Sequence, residues 1–369
     1  MSIRILLSAL ALAVAVAAHA QMPSLKDAYK DSFLIGAALN ERQVLEQDAR
    51  GASIVKAQFN SITPENVLKW EVVHPQPDKY KFEPADQFVA FGEKSHMFMV
   101  GHTLLWHNQT PAWVFQDAKG QSLTRDQLLA RMREHILTVV GRYKGRIKGW
   151  DVVNEALDED GTLRQTPWMK IIGPDYIEKA FEFAHAADPQ AELYYNDYSL
   201  ENEAKRKGAV DLIRRLRERG VYLTGVGIQG HDNLTWPTIA QEEATISAFE
   251  QLGVKVMITE LDIDVLPSAA SSGTADVSLN VAARPELNPY AGGLPDSVQQ
   301  QLAQRYADLF LVFLNHSDSV ERVTFWGVTD AESWKNDWPI KGRTNYPLLF
   351  DRSGKPKAAF DAVIKVSSR

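Results

Sequence analysis

Eight short apolar runs recur along the chain, and helix-like segments fill most of the gaps between them. The runs lie at residues 33–37, 59–63, 98–104, 147–153, 192–196, 224–229, 255–261 and 322–328. Amphipathic segments occupy 41–52, 85–94, 124–143, 175–187, 201–219, 242–252 and 297–315, with a last one at 357–367. Such alternation predicts a parallel sheet, because a strand, a crossover helix and the next strand wind back into one sheet with a right-handed turn. End signals support the reading: Thr124 precedes a long segment, Asp175 follows Gly173-Pro174, and Gly220 and Gly253 close two others. Eight units in 369 residues fit a closed (β/α)8 TIM barrel, a single α/β domain. A doubly wound open sheet is the competing topology, but no glycine-rich phosphate turn follows the first run.

One segment breaks the rhythm. Residues 266–295 are rich in Ser, Ala, Gly and Pro ("PSAASSGTADVS", "NPYAGG") and follow the seventh run. An eighth strand and helix come after it, so it reads as a long loop on the barrel and not as a linker. The first twenty residues read differently again. Arg4 provides a positive start, residues 5–18 are uncharged, and Ala18-His19-Ala20 has the small-x-small form of a cleavage site. The uncharged run is shorter than the roughly 20 residues of a membrane-spanning helix. An export signal at 1–20 and a catalytic domain over 21–369 are therefore expected, with residence in the periplasm or outside the cell and no membrane contact in the mature form.

Composition removes several classes of function. With no cysteine there can be no disulfide, thiol nucleophile or cysteine metal site, so stability rests on the core that 45% hydrophobic residues can build. A net charge of −7, with no basic stripe, disfavours nucleic acid as a partner. His102 and His107 do not sit on a helix, and neither HExxH nor HxH occurs, so no metal or cofactor is expected. No GxSxG elbow points to a serine hydrolase.

A barrel of this kind carries its chemistry at the C-terminal ends of its strands. There the polar residues collect. The second run leads into "ITPENVLKW" with Glu65, Asn66 and Lys69; the third into "GHTLLWHNQ" with His102, Trp106 and Gln109; the fourth ends on Asn154-Glu155. The fifth gives "NDYS" with Tyr198, the sixth "GIQGH" with Gln229 and His231, the seventh "ITELDID" with Glu260 and Asp262, the eighth "FWGVTDAESW" with Trp326 and Trp334. Either glutamate alone could be a helix cap or half of a surface ion pair. Glu155 and Glu260 together, on the fourth and seventh strands, face one another across the barrel mouth. Two such carboxyl groups suit acetal hydrolysis, one protonating the leaving oxygen while the other attacks or activates water at the anomeric carbon. Strand alternation puts Glu260 and Asp262 on one side. His231 is expected to donate a hydrogen bond that keeps Glu260 ionised. Indole rings from Trp106, Trp326 and Trp334 can stack on the apolar faces of sugars, whereas Trp70 and Trp150 read as packing residues.

In order and spacing, "GHTLLWHNQ", "WDVVNEA", "GIQGH", "ITELD" and the late "FWG…W" resemble glycoside hydrolase family 10, the endo-β-1,4-xylanases, from about residue 35 to the C-terminus. The resemblance implies a retaining β-1,4-xylanase in which Glu155 is the acid/base and Glu260 the nucleophile. Asn154 would hold the sugar 2-hydroxyl, with His231 and Asp262 orienting Glu260. It also implies that Glu65, Asn66, Lys69, His102, Trp106, Gln109 and Gln229 line the non-reducing-side subsites. Trp326 and Trp334 would form an aromatic roof and floor, and Tyr198 would lie on the leaving-group side. Xylan and xylo-oligosaccharides would be the substrates of a monomeric enzyme. Retention calls for carboxyl groups about 5–5.5 Å apart, and Glu155 should be kept protonated by the negative charge of Glu260. Other retaining barrels acting on cellulose or mannan, and a non-catalytic carbohydrate-binding barrel, are the alternatives. The second is disfavoured because both glutamates are present.

Overall fold

The structure, a computed structural model, describes residues 22–268 and 281–368. The expected export signal at 1–20 lies outside these residues, as does 269–280 of the expected loop. Nine strands occur among the described residues: β1 (Leu34–Leu39), β2 (Ser61–Pro64), β3 (Phe98–Leu105), β4 (Gly149–Asn154), β5 (Glu192–Asp197), β6 (Gly225–Ile228), β7 (His231–Asn233), β8 (Lys255–Asp264) and β9 (Val320–Phe325). All pairings between them are parallel. β1 through β6 pair in sequence, β6 pairs with β8, β8 with β9, and β9 returns to β1. The ring is closed, as the strand count predicts. Every residue of β4 is buried, which is the pattern of a parallel strand covered on both faces.

The crossovers are α1 (Ala49–Gln58), α2 (Glu83–Lys94), α3 (Arg125–Arg142), α4 (Tyr176–Ala187), α5 (Glu203–Glu218), α6 (Ile239–Glu250), α7 (Asp296–Asn315) and α8 (Ala358–Val366). Each turns an apolar stripe toward the sheet. In α3, Leu128, Met132, Ile136, Val139 and Val140 recur at three- and four-residue spacing and are buried. A capping box between Thr124 and Gln127 starts that helix. None of the helices among the described residues is long and apolar enough to cross a membrane.

Between the sheet and the surrounding helices the side chains are large, and room is made for them. A Cβ on Gly101 would fall 2.1 Å from the ring of Trp150, its paired residue on β4, which packs in the cluster shared with the helices. Trp150 is therefore packing material, as expected, and Trp70 stacks on His135 with centroids 3.6 Å apart.

Three local expectations fail for identifiable reasons. The segment at 41–52 is not one helix: Glu41–Val44 stops, Glu46 takes a left-handed conformation with φ 55°, and Asp48 caps a fresh start by accepting from the Gly51 amide. α6 begins at Ile239, ahead of the expected 242, because Thr238 and Gln241 form a capping box. Asp175 stands at the N-cap of α4, but its carboxylate is taken by a bidentate pair with Arg125 and caps nothing. Of the expected loop at 266–295, the described part includes a turn at Pro285–Leu287. It leans on the segment after β9: Val281 N donates to the Pro339 carbonyl at 2.9 Å and Tyr346 Oη to the Tyr290 carbonyl at 2.8 Å.

Candidate active site

A cleft of about 180 Å³ opens over the C-terminal ends of the strands. Of the fifteen residues singled out from the sequence, thirteen line it. They are Glu65, Asn66, Lys69, His102, Trp106, Gln109, Asn154, Glu155, Gln229, His231, Glu260, Trp326 and Trp334. Asp262 stands directly behind this lining and Tyr198 lies apart from it.

Glu155 follows the last residue of β4 and is 4% exposed. Its backbone sits in the left-handed region at φ 58°, a conformation that costs a non-glycine residue roughly 1–3 kcal/mol and persists only where neighbours impose it. Here the Glu155 amide donates to the Asn196 carbonyl at 2.9 Å, and the following Ala156 amide donates to Tyr195 Oη at 3.2 Å. The carboxyl group meets only neutral donors: Trp106 Nε1 at 2.7 Å, Gln229 Nε2 at 3.1 Å and Asn154 Nδ2 at 3.2 Å. Burial, seconded by the negative charge of Asp197, raises its pKa to about 7 against these donors. Glu260, expected from the sequence to be the cause, ranks behind burial, Asp197 and the Gln229 and Trp106 hydrogen bonds. Desolvation corrects that expectation. A carboxyl group already removed from water holds its proton without needing its partner's charge.

Glu260 lies within β8 and not at its end, because β8 runs on to Asp264. Its partner β6 stops at Ile228, so Glu260 stands just above the closed ring, its amide bonded to the Gln229 carbonyl at 2.8 Å. The side chain is 5% exposed, no better hydrated than Glu155. Its partners differ in charge. His231 Nε2 donates to Oε2 at 3.2 Å and Asn196 Nδ2 to Oε1 at 2.8 Å. Burial alone would raise the pKa of Glu260. The His231 hydrogen bond, the charge of His102 and that of His231 override it and hold the group below the ordinary carboxylate range.

His231 owes its position to β7, a three-residue strand with no detectable period in the sequence. β7 pairs with the outer end of β8 so that His231 stands opposite Asp262. Nδ1 donates to Asp262 Oδ1 at 3.0 Å. Although burial disfavours the imidazolium, the charge and hydrogen bond of Asp262 and then Glu260 raise its pKa to about 9. Both ring nitrogens thus carry protons at neutral pH. Asp262 is completely buried and is kept below its ordinary range against desolvation by Lys335 and His231, with Trp334 Nε1 donating at 2.6 Å. That Glu260 and Asp262 share His231 agrees with their expected placement on one side of the strand.

The two carboxyl groups are joined by neutral amides. Asn196 Nδ2, besides holding Glu260, donates to Asn154 Oδ1 at 2.9 Å, and Gln229 Nε2 reaches both Asn154 Oδ1 at 3.3 Å and Glu155. Asn196 was not singled out from the sequence as a site residue, although its position at the end of β5 carried the signal. Its reach depends on Gly227, where a Cβ would come within 2.2 Å of Asn196 Oδ1.

On the other side of the cleft Lys69 Nζ bonds Gln109 Oε1 at 2.8 Å and Asn66 Oδ1 at 3.1 Å, and lies 4.9 Å from the centre of the Trp106 ring. Burial lowers its pKa, opposed by Glu260, Glu65 and Glu155. Glu65 is raised, chiefly by burial. His102 Nδ1 bonds Asp151 Oδ2 at 2.9 Å, and its ring meets Trp326 edge-on at 5.3 Å. Trp334 stacks on Trp338 at 4.6 Å. Tyr198 does not face the cleft. It is 3% exposed, its hydroxyl accepts from Arg164 at 2.8 Å, and Lys205 Nζ covers its ring at 3.5 Å. Chemically, the site offers one carboxyl group that favours its proton and one that favours its charge, within a polar cleft edged by indoles.

The sequence profile of glycosyl hydrolase family 10 matches residues 24–366. The chain is 46% identical over 352 residues to endo-1,4-beta-xylanase A of Xylanibacter ruminicola, covering 95% of each. It is 44% identical over 347 residues to a beta-1,4-xylanase of Dictyoglomus thermophilum, covering 94% of this chain and 91% of the relative. Among solved structures, a GH10 endoxylanase retrieved from a sugarcane soil metagenome superposes with a TM-score of 0.91 at 47% identity, over 93% of this chain and all of the other. A mutant structure in complex with xylotriose superposes at 0.83 with 38% identity, over 93% and 99% of the two chains.

Proposed function

The chain belongs to glycosyl hydrolase family 10, and from that premise we infer that it is an endo-1,4-β-xylanase cutting internal xylosidic bonds of xylan with retention of anomeric configuration. The observation that carries the residue assignment is the contrast between two equally buried carboxyl groups. Glu155, raised to about 7 among neutral donors, is the acid; Glu260, held low by an imidazolium, is the nucleophile. In the first step Glu155 gives its proton to the glycosidic oxygen while Glu260 attacks the anomeric carbon, so the C–O bond to the leaving chain breaks as a glycosyl ester forms. Asn154 holds the 2-hydroxyl of the sugar under attack. Esterification consumes the charge on Glu260. Glu155, now ionised, takes a proton from water, which attacks the anomeric carbon and releases Glu260.

His231 and Asp262 act as orienting partners of Glu260. Glu65, Asn66, Lys69, His102, Gln109 and Gln229 supply hydrogen bonds to xylose units, and Trp106, Trp326 and Trp334 supply apolar faces. The buried ring of Tyr198 gives least support to a place in the leaving-group subsite. We assign residues 1–20 to an export leader and 21–369 to one catalytic domain, acting as a monomer in the periplasm or outside the cell. N-terminal sequencing of the mature protein should begin after residue 20, and a first residue of Met1 would refute the leader.

The residue assignment is tested with Glu260→Ala. Turnover of xylan should fall by roughly 10⁴-fold or more, and azide should restore reaction of an activated xylobioside with formation of the inverted glycosyl azide. A variant with unchanged activity, or a rescued product of retained configuration, overturns the assignment.

A further inference from the structure

Close to Glu155 lies a buried charged group that the scheme above does not use. Asp197, the last residue of β5, is completely buried. Its Oδ1 accepts from the Tyr198 amide at 2.9 Å and faces Lys205 Nζ at 3.1 Å, while Oδ2 accepts from Tyr195 Oη. Tyr195 Oη in turn accepts from the Ala156 amide, the peptide that leaves Glu155 in its left-handed conformation. Lys205 stands on the sheet-facing stripe of α5, where apolar residues are the rule, and its side chain has no exposure at all. A buried ion pair of this sort gives little or no net stability over an apolar pair of the same volume. Its place beside the catalytic acid points to another use.

We propose that Asp197 and Lys205 form a positioning pair for the acid/base. Asp197 supplies the negative charge that helps keep the proton on Glu155, Lys205 limits how much of that charge Glu155 feels, and the Asp197–Tyr195–Ala156 chain fixes the backbone from which Glu155 is presented. The inference rests on Glu155 being the acid/base.

The charges around the pair are few. Glu155 is faced by Asp197 and Glu260 with negative charge and by Arg164 and Lys69 with positive charge, while Trp106, Gln229, Asn154 and the Tyr198 phenol are neutral. Asp197 is faced by Lys205 and Arg164, by Glu155, and by the neutral phenols of Tyr195, Tyr176 and Tyr198. Lys205 is faced by Asp197, the Tyr198 ring, Glu159 at 3.5 Å and Glu201. Arg164 is engaged by Tyr198 Oη, the Leu157 carbonyl and Asp158 at 3.6 Å, which leaves Lys205 as the cation paired directly with Asp197.

Two substitutions should move one limb of the pH profile in opposite directions. The basic limb of kcat/KM reports loss of the proton from Glu155 in the free enzyme. Asp197→Asn, nearly the same shape, removes the negative charge and should lower that limb by roughly one pH unit. Lys205→Met leaves Asp197 uncompensated and should raise it. Asp197→Asn is read first because it disturbs packing least, and an unmoved limb in that folded variant overturns the proposal by itself. A Lys205→Met limb that moves down together with that of Asp197→Asn overturns it too, as a role confined to stability would shift neither limb in a defined direction. Wild-type activity on poor leaving groups in Glu155→Gln would instead refute the acid/base reading beneath it.

Discussion

Glu155 and Glu260 are 4% and 5% exposed, both stand at the mouth of the same barrel, and each accepts hydrogen bonds on both carboxyl oxygens. Burial by itself would push both groups toward the protonated form. They part because their donors differ: an indole and two amides around Glu155, an imidazolium and one amide around Glu260. Neutral donors relieve desolvation only in part, whereas the His231 cation, itself sustained by Asp262, reverses it. The charge of the partners, and not the degree of burial, separates the protonation of the two carboxyl groups.

That comparison can be broken from either side. Replacing Glu155 by Ala should cost about 10²–10⁴-fold on xylan, the contribution of a positioned acid. An aryl xyloside whose leaving group needs no proton should form the glycosyl-enzyme almost as before. Equal losses on both substrates would deny Glu155 its role as acid. His231→Asn attacks the other side. Without the imidazolium, desolvation of Glu260 goes unopposed by its largest counterweight, so the acid limb of kcat/KM should move to higher pH. Activity near pH 5 should then drop by roughly tenfold to a hundredfold. A limb that stays in place would show that Asn196 and His102 suffice. Trp334→Phe is the finest cut. It removes the 2.6 Å hydrogen bond to Asp262, which anchors His231, while keeping an aromatic face. A loss of about tenfold in kcat/KM is expected, with the acid limb displaced in the same direction as for His231→Asn but by less.

Much of this is legible in the sequence. The period of the apolar runs carried the closed barrel, since alternating strand and helix signals leave few topologies open. The strand-end rule then gathered Glu155, Glu260, Gln229, His102 and the indoles, because the barrel converts distant positions in sequence into one rim. What was not legible has a common cause. β7 is three residues long and too short to show a period, yet it seats His231 against Asp262. The break after Val44 depends on the left-handed turn at Glu46, which no residue type there announces. The source of the proton affinity of Glu155 is burial, which depends on what surrounds the group in space. Spacing along the chain directed attention to Glu260 instead, since charges are visible in a sequence and solvation is not. Tyr198 shows the same limit: its motif placed it on the rim, but Arg164 and Lys205 hold its ring in the protein interior.

The division of charge can be read directly by carbon-13 NMR of protein labelled at the glutamate carboxyl carbons, with Glu155→Gln and Glu260→Gln used to assign the two signals. The signal of Glu155 should titrate near pH 7, and that of Glu260 should keep the shift of an ionised carboxylate down to below pH 4.5. A proton found on Glu260 at neutral pH, with Glu155 ionised, would contradict the account.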